Sequence, residues 1–238
     1  MTDIREYLAR KPLLFDGGMG TYYKAAPGAD CEMANLTDPE GVKKVHAEYL
    51  AAGAQAIKTN TFGLPRMAAA QMPGWEELAE AGWKLACDAA AEKDAAVFAD
   101  LGPAPDTEAA PASSAYGLVA QQFAALGAKN FLFETLSSDV GIVEAVKALR
   151  VAVPDAFVMV SFAVLPDGYT REGLLFRDLL RRMEQSGVVD AVGLNCVSAP
   201  GAMKKLVQSL GETLLPLSVM PNAGYPVVTR ARVLYQGK

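Results

Sequence analysis

Residues 126–134, Leu126-Gly127-Ala128-Lys129-Asn130-Phe131-Leu132-Phe133-Glu134, carry three structural signals in succession. Val119, Phe123 and Leu126 repeat at helical spacing up to Gly127, and glycine is the residue that most easily takes the left-handed turn ending a helix. Phe131 to Phe133 are apolar without alternation, as in a strand covered on both faces. Glu134 then places a charge at the strand's carboxyl end, where it must meet a partner or water.

The same helix–glycine–strand unit recurs along the chain. Asp38 and Pro39 open a helix in which Val42, Val45, Tyr49 and Leu50 share a face, and Gly53 ends it before the next strand. Leu175, Leu179 and Met183 precede Gly187 in the same way. Further helices are expected at Ile142 to Arg150 and Ala202 to Leu210, and Ala104 to Ser114 reads as a surface loop. Seven strands emerge: Leu13–Asp16, Ala56–Asn60, Ala96–Asp100, Phe131–Glu134, Phe157–Phe162, Ala191–Asn195 and Leu217–Met220. Such alternation predicts parallel strands joined by crossover helices.

An open doubly wound sheet shows the same rhythm, but it gathers its chemistry at one switch point. Here Asp16, Asn60, Asp100, Glu134, Ser161, Asn195 with Cys196, and Asn222 stand at or just past successive strand ends. That distribution favours a TIM (βα)8-type barrel, whose site is built at the carboxyl ends of its strands. No eighth strand is evident. Pro226 to Lys238 reads as a hairpin or arm, so the expectation is one domain over residues 1–238, truncated before the eighth strand, with the first and seventh strands as open edges.

Composition excludes several classes. The 238 residues are 51% hydrophobic and 21% charged, and 22 Lys plus Arg against 27 Asp plus Glu give a net charge of −5. That balance offers no footprint for nucleic acid or an anionic membrane. Met1 to Leu14 is interrupted by Asp3, Arg5, Glu6, Arg10 and Lys11, unlike an export signal, and the strongest apolar run, Phe157 to Leu165, falls far short of a membrane span. Cys31, Cys87 and Cys196 are too few and too scattered for a disulfide framework, which fits a reducing cytoplasm.

Several residues stand out for their chemistry. The turn Asp16-Gly17-Gly18-Met19-Gly20-Thr21 follows a strand; it is either a tight loop or a place where backbone N–H groups approach an anion. Asp16 and Glu134 point to the same mouth, where two carboxylates suit an ammonium group, an acid/base pair or a metal, or simply pair within the structure. Cys196 is a ligand, a nucleophile or a small core residue. A Cys–His pair is disfavoured because the single histidine, His46, falls on a crossover helix, where a structural role suits it better. Cys31 and Cys87 lack metal-ligand spacing to Cys196.

Seven segments in order, Phe15-Asp16-Gly17-Gly18-Met19-Gly20-Thr21, Asn35-Leu36-Thr37, Ala52-Gly53-Ala54, Thr59-Asn60-Thr61-Phe62, Phe133-Glu134-Thr135, Gly193-Leu194-Asn195-Cys196 and Pro221-Asn222-Ala223-Gly224, give the chain its closest likeness. From about Leu13 to Tyr225 it resembles the homocysteine S-methyltransferase family. That family includes the homocysteine-binding barrel of cobalamin-dependent methionine synthase, betaine and S-methylmethionine methyltransferases, and a half of methylenetetrahydrofolate reductase fusions.

The resemblance implies a cytoplasmic transferase of methionine biosynthesis that moves a methyl group to the homocysteine thiol. It implies a zinc ion held by three cysteines, with Cys196 matching the first, and Asp16 and Glu134 on the substrate's amino group. Backbone groups near Met19 and Gly20 would take its carboxylate. The methyl donor would be methylcobalamin or methyltetrahydrofolate, supplied through a cobalamin, folate or reductase domain in the same or another chain. Zinc coordination deprotonates a thiol at neutral pH and leaves an open position for substrate. The sequence departs from the family in lacking an adjacent Cys-Cys pair, so the other two zinc ligands are expected beyond Lys238 and this chain alone is expected to be inactive. Gly82 and the short segment after Asp100 also differ from the family. A non-catalytic barrel that binds an amino-acid-like ligand, or acts as an interaction domain, is the alternative.

Overall fold

A computed structural model describes residues 3–23, 30–223, 225–228 and 233–236. Six strands form one parallel sheet in sequence order: β1 Ala56–Lys58, β2 Ala96–Leu101, β3 Asn130–Leu136, β4 Phe157–Phe162, β5 Ala191–Asn195 and β6 Leu217–Met220. The predicted first strand is reduced to a parallel bridge between Phe15 and Ala56. It is tied there by Asp16 N–H to the Ala56 carbonyl at 2.9 Å and by Gln55 N–H to the Leu14 carbonyl at 2.8 Å. Among the described residues, β6 pairs with β5 alone.

The helices are α1 Ile4–Leu8, α2 Met19–Tyr23, α3 Ala34–Thr37, α4 Pro39–Ala51, α5 Leu64–Ala69, α6 Trp75–Ala91, α7 Ala112–Ala125, α8 Ile142–Ala152, α9 Phe176–Ser186 and α10 Pro200–Leu210. The expected caps are present: the Asp38 carboxylate accepts the Gly41 N–H at 3.1 Å, and Gly53, Gly127 and Gly187 take φ of 104°, 90° and 67°. The Ala104–Ser114 loop ends three residues early, because the Asp106 carboxylate accepts the Ala112 N–H and α7 starts at Ala112. Tyr225–Val228 and Val233–Gln236 form an antiparallel hairpin, β7 and β8, as expected for the final segment; Gly224, residues 229–232 and residues 237–238 lie outside the described residues. No helix among the described residues is long and apolar enough to cross a membrane.

Strand alternation divides the buried residues between an outer and an inner side of the sheet. Outward residues such as Phe131, Phe133, Val158, Val160 and Val192 pack beneath α7, α8 and α9. Inward residues Ala56, Ala96, Phe98, Leu132, Phe157, Met159 and Ala191 form a separate apolar layer, closed by Ile4 of α1. Arg5 locks α1 in place: its guanidinium donates to Asp190 Oδ1 at 2.8 and 3.0 Å and to the Ala156 carbonyl, while Arg150 holds Asp190 Oδ2 at 2.7 Å. The amino-terminal helix is thereby bolted across the bottom of the sheet.

Candidate functional site

Lys58, Asp100, Glu134 and Ser161 occupy the inward phase one alternation beyond the apolar layer, two positions after Ala56, Phe98, Leu132 and Met159, and Asn195 continues the phase of Ala191 through Gly193. The barrel interior is therefore apolar below and polar above. Gly193 keeps the polar layer open, since a Cβ there would lie 2.7 Å from Ser218 and 3.2 Å from Ser161 Oγ. A cavity of about 530 Å³ opens onto this layer, with Asp16, Gly17, Lys58, Glu134, Asn195 and Cys196 among its lining residues.

Lys58 is the centre of the polar layer. Its Nζ lies 3.4 and 3.3 Å from Glu134 Oε1 and Oε2, and its backbone N–H donates to Asp16 Oδ2 at 3.0 Å. Burial alone would discharge this ammonium, but Glu134, Asp16 and Asp100 hold it charged, above the usual lysine range. Burial pushes Asp16 up to about 7, against the pull of Lys58, and burial with the nearby Glu134 raises Asp100 well above the carboxylate range. Asp16 Oδ1, Asp100 Oδ1 and Ser161 Oγ are buried without a hydrogen-bond partner. Of these three residues, Asp16 is the one that lines the cavity, so its free oxygen is the one open to a polar guest.

Cys196 follows directly. The Asn195 amide donates to Glu134 Oε2 at 3.1 Å and to Thr135 Oγ1 at 2.8 Å, while Asn195 Oδ1 accepts the Thr135 N–H at 2.9 Å. Thr135 Oγ1 and Asn195 Nδ2 each lie 3.5 Å from Cys196 Sγ. Burial raises the Cys196 thiol's pKa, and the Thr135 hydrogen bond and Lys58 act against that rise. The backbone is left-handed at Thr135 (φ 60°), Cys196 (55°) and Val197 (54°), a strained state for β-branched residues and one concentrated at functional sites. Cys196 lines the first cavity, and Val197 lines a second of about 710 Å³ among the loops, beside Phe62, Leu165 and Arg171.

Asp16, Glu134 and Cys196 line one cavity. Met19 and Gly20 begin α2, while it is Gly17 and Gly18 that line the cavity. Gly17 packs closely: a Cβ there would lie 2.5 Å from the Tyr49 hydroxyl, so the tyrosine would have to shift. Asn60 leaves the mouth, donating to the Cys31 carbonyl and Asn35 Oδ1, both at 2.9 Å. His46 is fully buried on α4. Lys58 is the residue that sequence reading passed over, although a lysine in phase with Ala56 inside the run Ala56-Ile57-Lys58 signals an internal counter-ion. Among the described residues no three or more His, Cys, Asp or Glu side chains form a group able to hold a metal. Around Cys196 stand two hydrogen-bond donors and a lysine, which suit a lone thiol and do not make a three-thiolate zinc centre.

A curled parallel α/β sheet with a charged, partly unsatisfied cavity at the carboxyl ends of its strands defines a barrel-type small-molecule site. The model of the family described as homocysteine S-methyltransferase matches residues 13–236, and the chain belongs to that family. Over 95% of its length it is 30% identical to methionine synthase of Mycobacterium tuberculosis, of which it spans 21%. It is 25% identical to homocysteine S-methyltransferase of Escherichia coli, with 89% of this chain and 78% of that one aligned. The chain thus spans about a fifth of the length of the methionine synthases it matches. The metallated E. coli homocysteine methyltransferase MmuM, 23% identical, shares the fold with a TM-score of 0.76 over 94% of this chain and 88% of that one. The apo form gives 26% identity and a TM-score of 0.70 over 94% and 87% of the two chains.

Proposed function

We propose that this chain is a homocysteine-binding module for methyl transfer, in which the substrate sulfur attacks the methyl carbon of a donor, the demethylated donor leaves and methionine is formed. The observation that carries the reading is the cavity in which Asp16, Lys58, Glu134, Asn195 and Cys196 meet. It presents carboxylates to an ammonium group and places a thiol-bearing strand end beside them. In this reading the acidic side around Asp16 and Glu134 receives the amino group, and the turn that leads to Met19 and Gly20, which meets the cavity at Gly17 and Gly18, receives the carboxylate. The sulfur then lies toward Cys196. Methyl transfer forms a carbon–sulfur bond as the donor–methyl bond breaks, and the thiol proton goes to solvent.

The family's zinc would need two thiolates besides Cys196, and the described residues do not supply them. The same observation favours a second reading, a module that binds the amino acid without turning it over. Calorimetric titration of L-homocysteine and L-methionine, followed by product assays with methylcobalamin, methyltetrahydrofolate and S-methylmethionine as donors, separates the two. Binding with methionine formation from one donor supports methyl transfer. Binding without product from any donor supports the second reading, and no binding of either amino acid overturns both.

A further inference from the structure

The larger cavity, of about 710 Å³ among the loops, has an apolar wall. Phe62 and Leu165 are 39% and 40% exposed, and Pro103 and Pro105 add surface with no N–H to offer. Hydrogen bonds fix this wall in place: the Gly102 N–H donates to the Phe62 carbonyl at 2.9 Å, and the Ala104 N–H donates to the Tyr116 hydroxyl at 2.9 Å.

The charged groups lining the cavity are Asp30, Glu32, Arg66 and Arg171. Arg66 pairs with Asp30 at 2.7 Å, and the Glu32 carboxylate accepts the Gly63 N–H. Cys31 adds a neutral thiol, which burial pushes up to about 11. Arg171 differs from the rest: its guanidinium has no hydrogen-bond or ion-pair partner among the described residues. It stands in a turn closed by the Gly173 N–H on the Thr170 carbonyl at 2.9 Å, and the neighbouring Glu172 carboxylate is engaged by the Ser137 hydroxyl. The turn thus sets one free cation beside the apolar wall.

We propose that this cavity is a second binding site, for an organic carboxylate with a flat apolar body, whose charge Arg171 holds and whose body packs on Phe62 and Leu165. A guanidinium presents paired N–H groups that match a carboxylate, and the volume lies in the range of small-molecule sites. A purely cationic guest would find both lining carboxylates already engaged. The two cavities are back to back: Thr135 lines the second, and its Oγ1 lies 3.5 Å from Cys196 Sγ, which lines the first. Resting on the methyl-transfer reading, the occupant is then the methyl donor, and the donor is an anion. Its methyl carbon bonds to the homocysteine sulfur as the donor–methyl bond breaks, with that electron pair staying on the donor and the thiol proton going to solvent.

The test uses two probes that differ in charge alone, para-methylaminobenzoate and para-methylaminobenzamide, titrated into the chain by ligand-observed NMR. The benzoate should bind about five-fold more tightly, whether or not L-methionine is present at saturation. Arg171→Gln should erase that preference by weakening the benzoate alone, and Phe62→Ala should weaken both probes alike. Equal affinities, or no binding of either probe, overturn the proposal. Competition between the benzoate and L-methionine overturns it too, since both would then share the first cavity. A preference lost in Arg66→Gln but kept in Arg171→Gln overturns the assignment to Arg171. Should a variant misfold by circular dichroism, the wild-type contrast between the probes and its indifference to L-methionine decide. Methionine formed from S-methylmethionine and not from methyltetrahydrofolate overturns the anionic donor. Absence of L-methionine and L-homocysteine binding refutes the reading of the first cavity and with it the donor role, whereas a benzoate preference erased by Arg171→Gln still upholds the second site.

Discussion

Lys58 on β1 and Glu134 on β3 form an ion pair across the intervening β2, 3.3 Å apart inside the barrel. Breaking such a pair from one side leaves a desolvated charge, and the usual penalty is about 3–5 kcal/mol. Lys58→Met and Glu134→Gln should each lower the urea midpoint accordingly. The double substitution should be far less destabilising than the sum. Additive losses in a double-mutant cycle would contradict the pairing.

His46 contributes a pH dependence of defined sign. Burial lowers its imidazole from 6.5 to about 4, and neither ring nitrogen has a partner. Between those pH values the unfolded chain takes up a proton that the folded chain refuses. Stability from this group is thus complete above 6.5, falls as pH drops toward 4, and levels off below, a loss of roughly 3 kcal/mol. Asp16 acts oppositely, because its folded carboxyl is raised from 3.8 to about 7 and acid relieves its burial. Comparing wild type with His46→Leu across pH isolates the histidine. The variant should lose close to one proton of slope between pH 6.5 and 4, and an unchanged slope would refute the assignment.

Gly17 lines the cavity and packs against Tyr49 of α4. Gly17→Ala forces a methyl group to within 2.5 Å of the Tyr49 hydroxyl, and overpacking of this kind costs about 1–3 kcal/mol. Tyr49→Phe in the Gly17→Ala background should recover part of that loss in thermal unfolding. No recovery would place the clash elsewhere.

The left-handed backbone at Val197 stores strain next to Cys196. Val197→Gly should raise stability by about 1 kcal/mol, since glycine takes this conformation freely and the relief exceeds its entropic penalty. Methionine affinity should fall as Cys196 and Asn195 lose their fixed orientation. Lower stability in denaturant unfolding would count against the strain.

Much of the fold was legible because glycines at 53, 127 and 187 end helices immediately before strands, and those strands are apolar on both faces. The site was legible where a charge ended an apolar run, as at Asp16 and Glu134. What escaped has physical causes. The first strand shrank to the Phe15 bridge, because pairing depends on tertiary geometry that four residues do not encode. Asn60 shares the strand-end pattern of the site residues, yet its side chain turns to the Cys31 carbonyl and Asn35. Lys58 was hidden by its apolar neighbours, and its meaning appears only when Glu134 comes within reach from a strand 76 positions away.

The contact between Arg5 and Asp190 joins residues 185 positions apart. Contacts of such long range carry a high loop-closure entropy and form late. The barrel floor can be sealed only after β4 and β5 have aligned the Asp190 carboxylate with the Ala156 carbonyl, so the segment that carries Arg5 is among the last to dock. During that interval the layer of Phe98, Phe157 and Met159 stands open to water. Refolding from urea should therefore show a slow final phase that Arg5→Ala alters, and transient exposure of this layer makes the refolding chain prone to aggregation at high concentration.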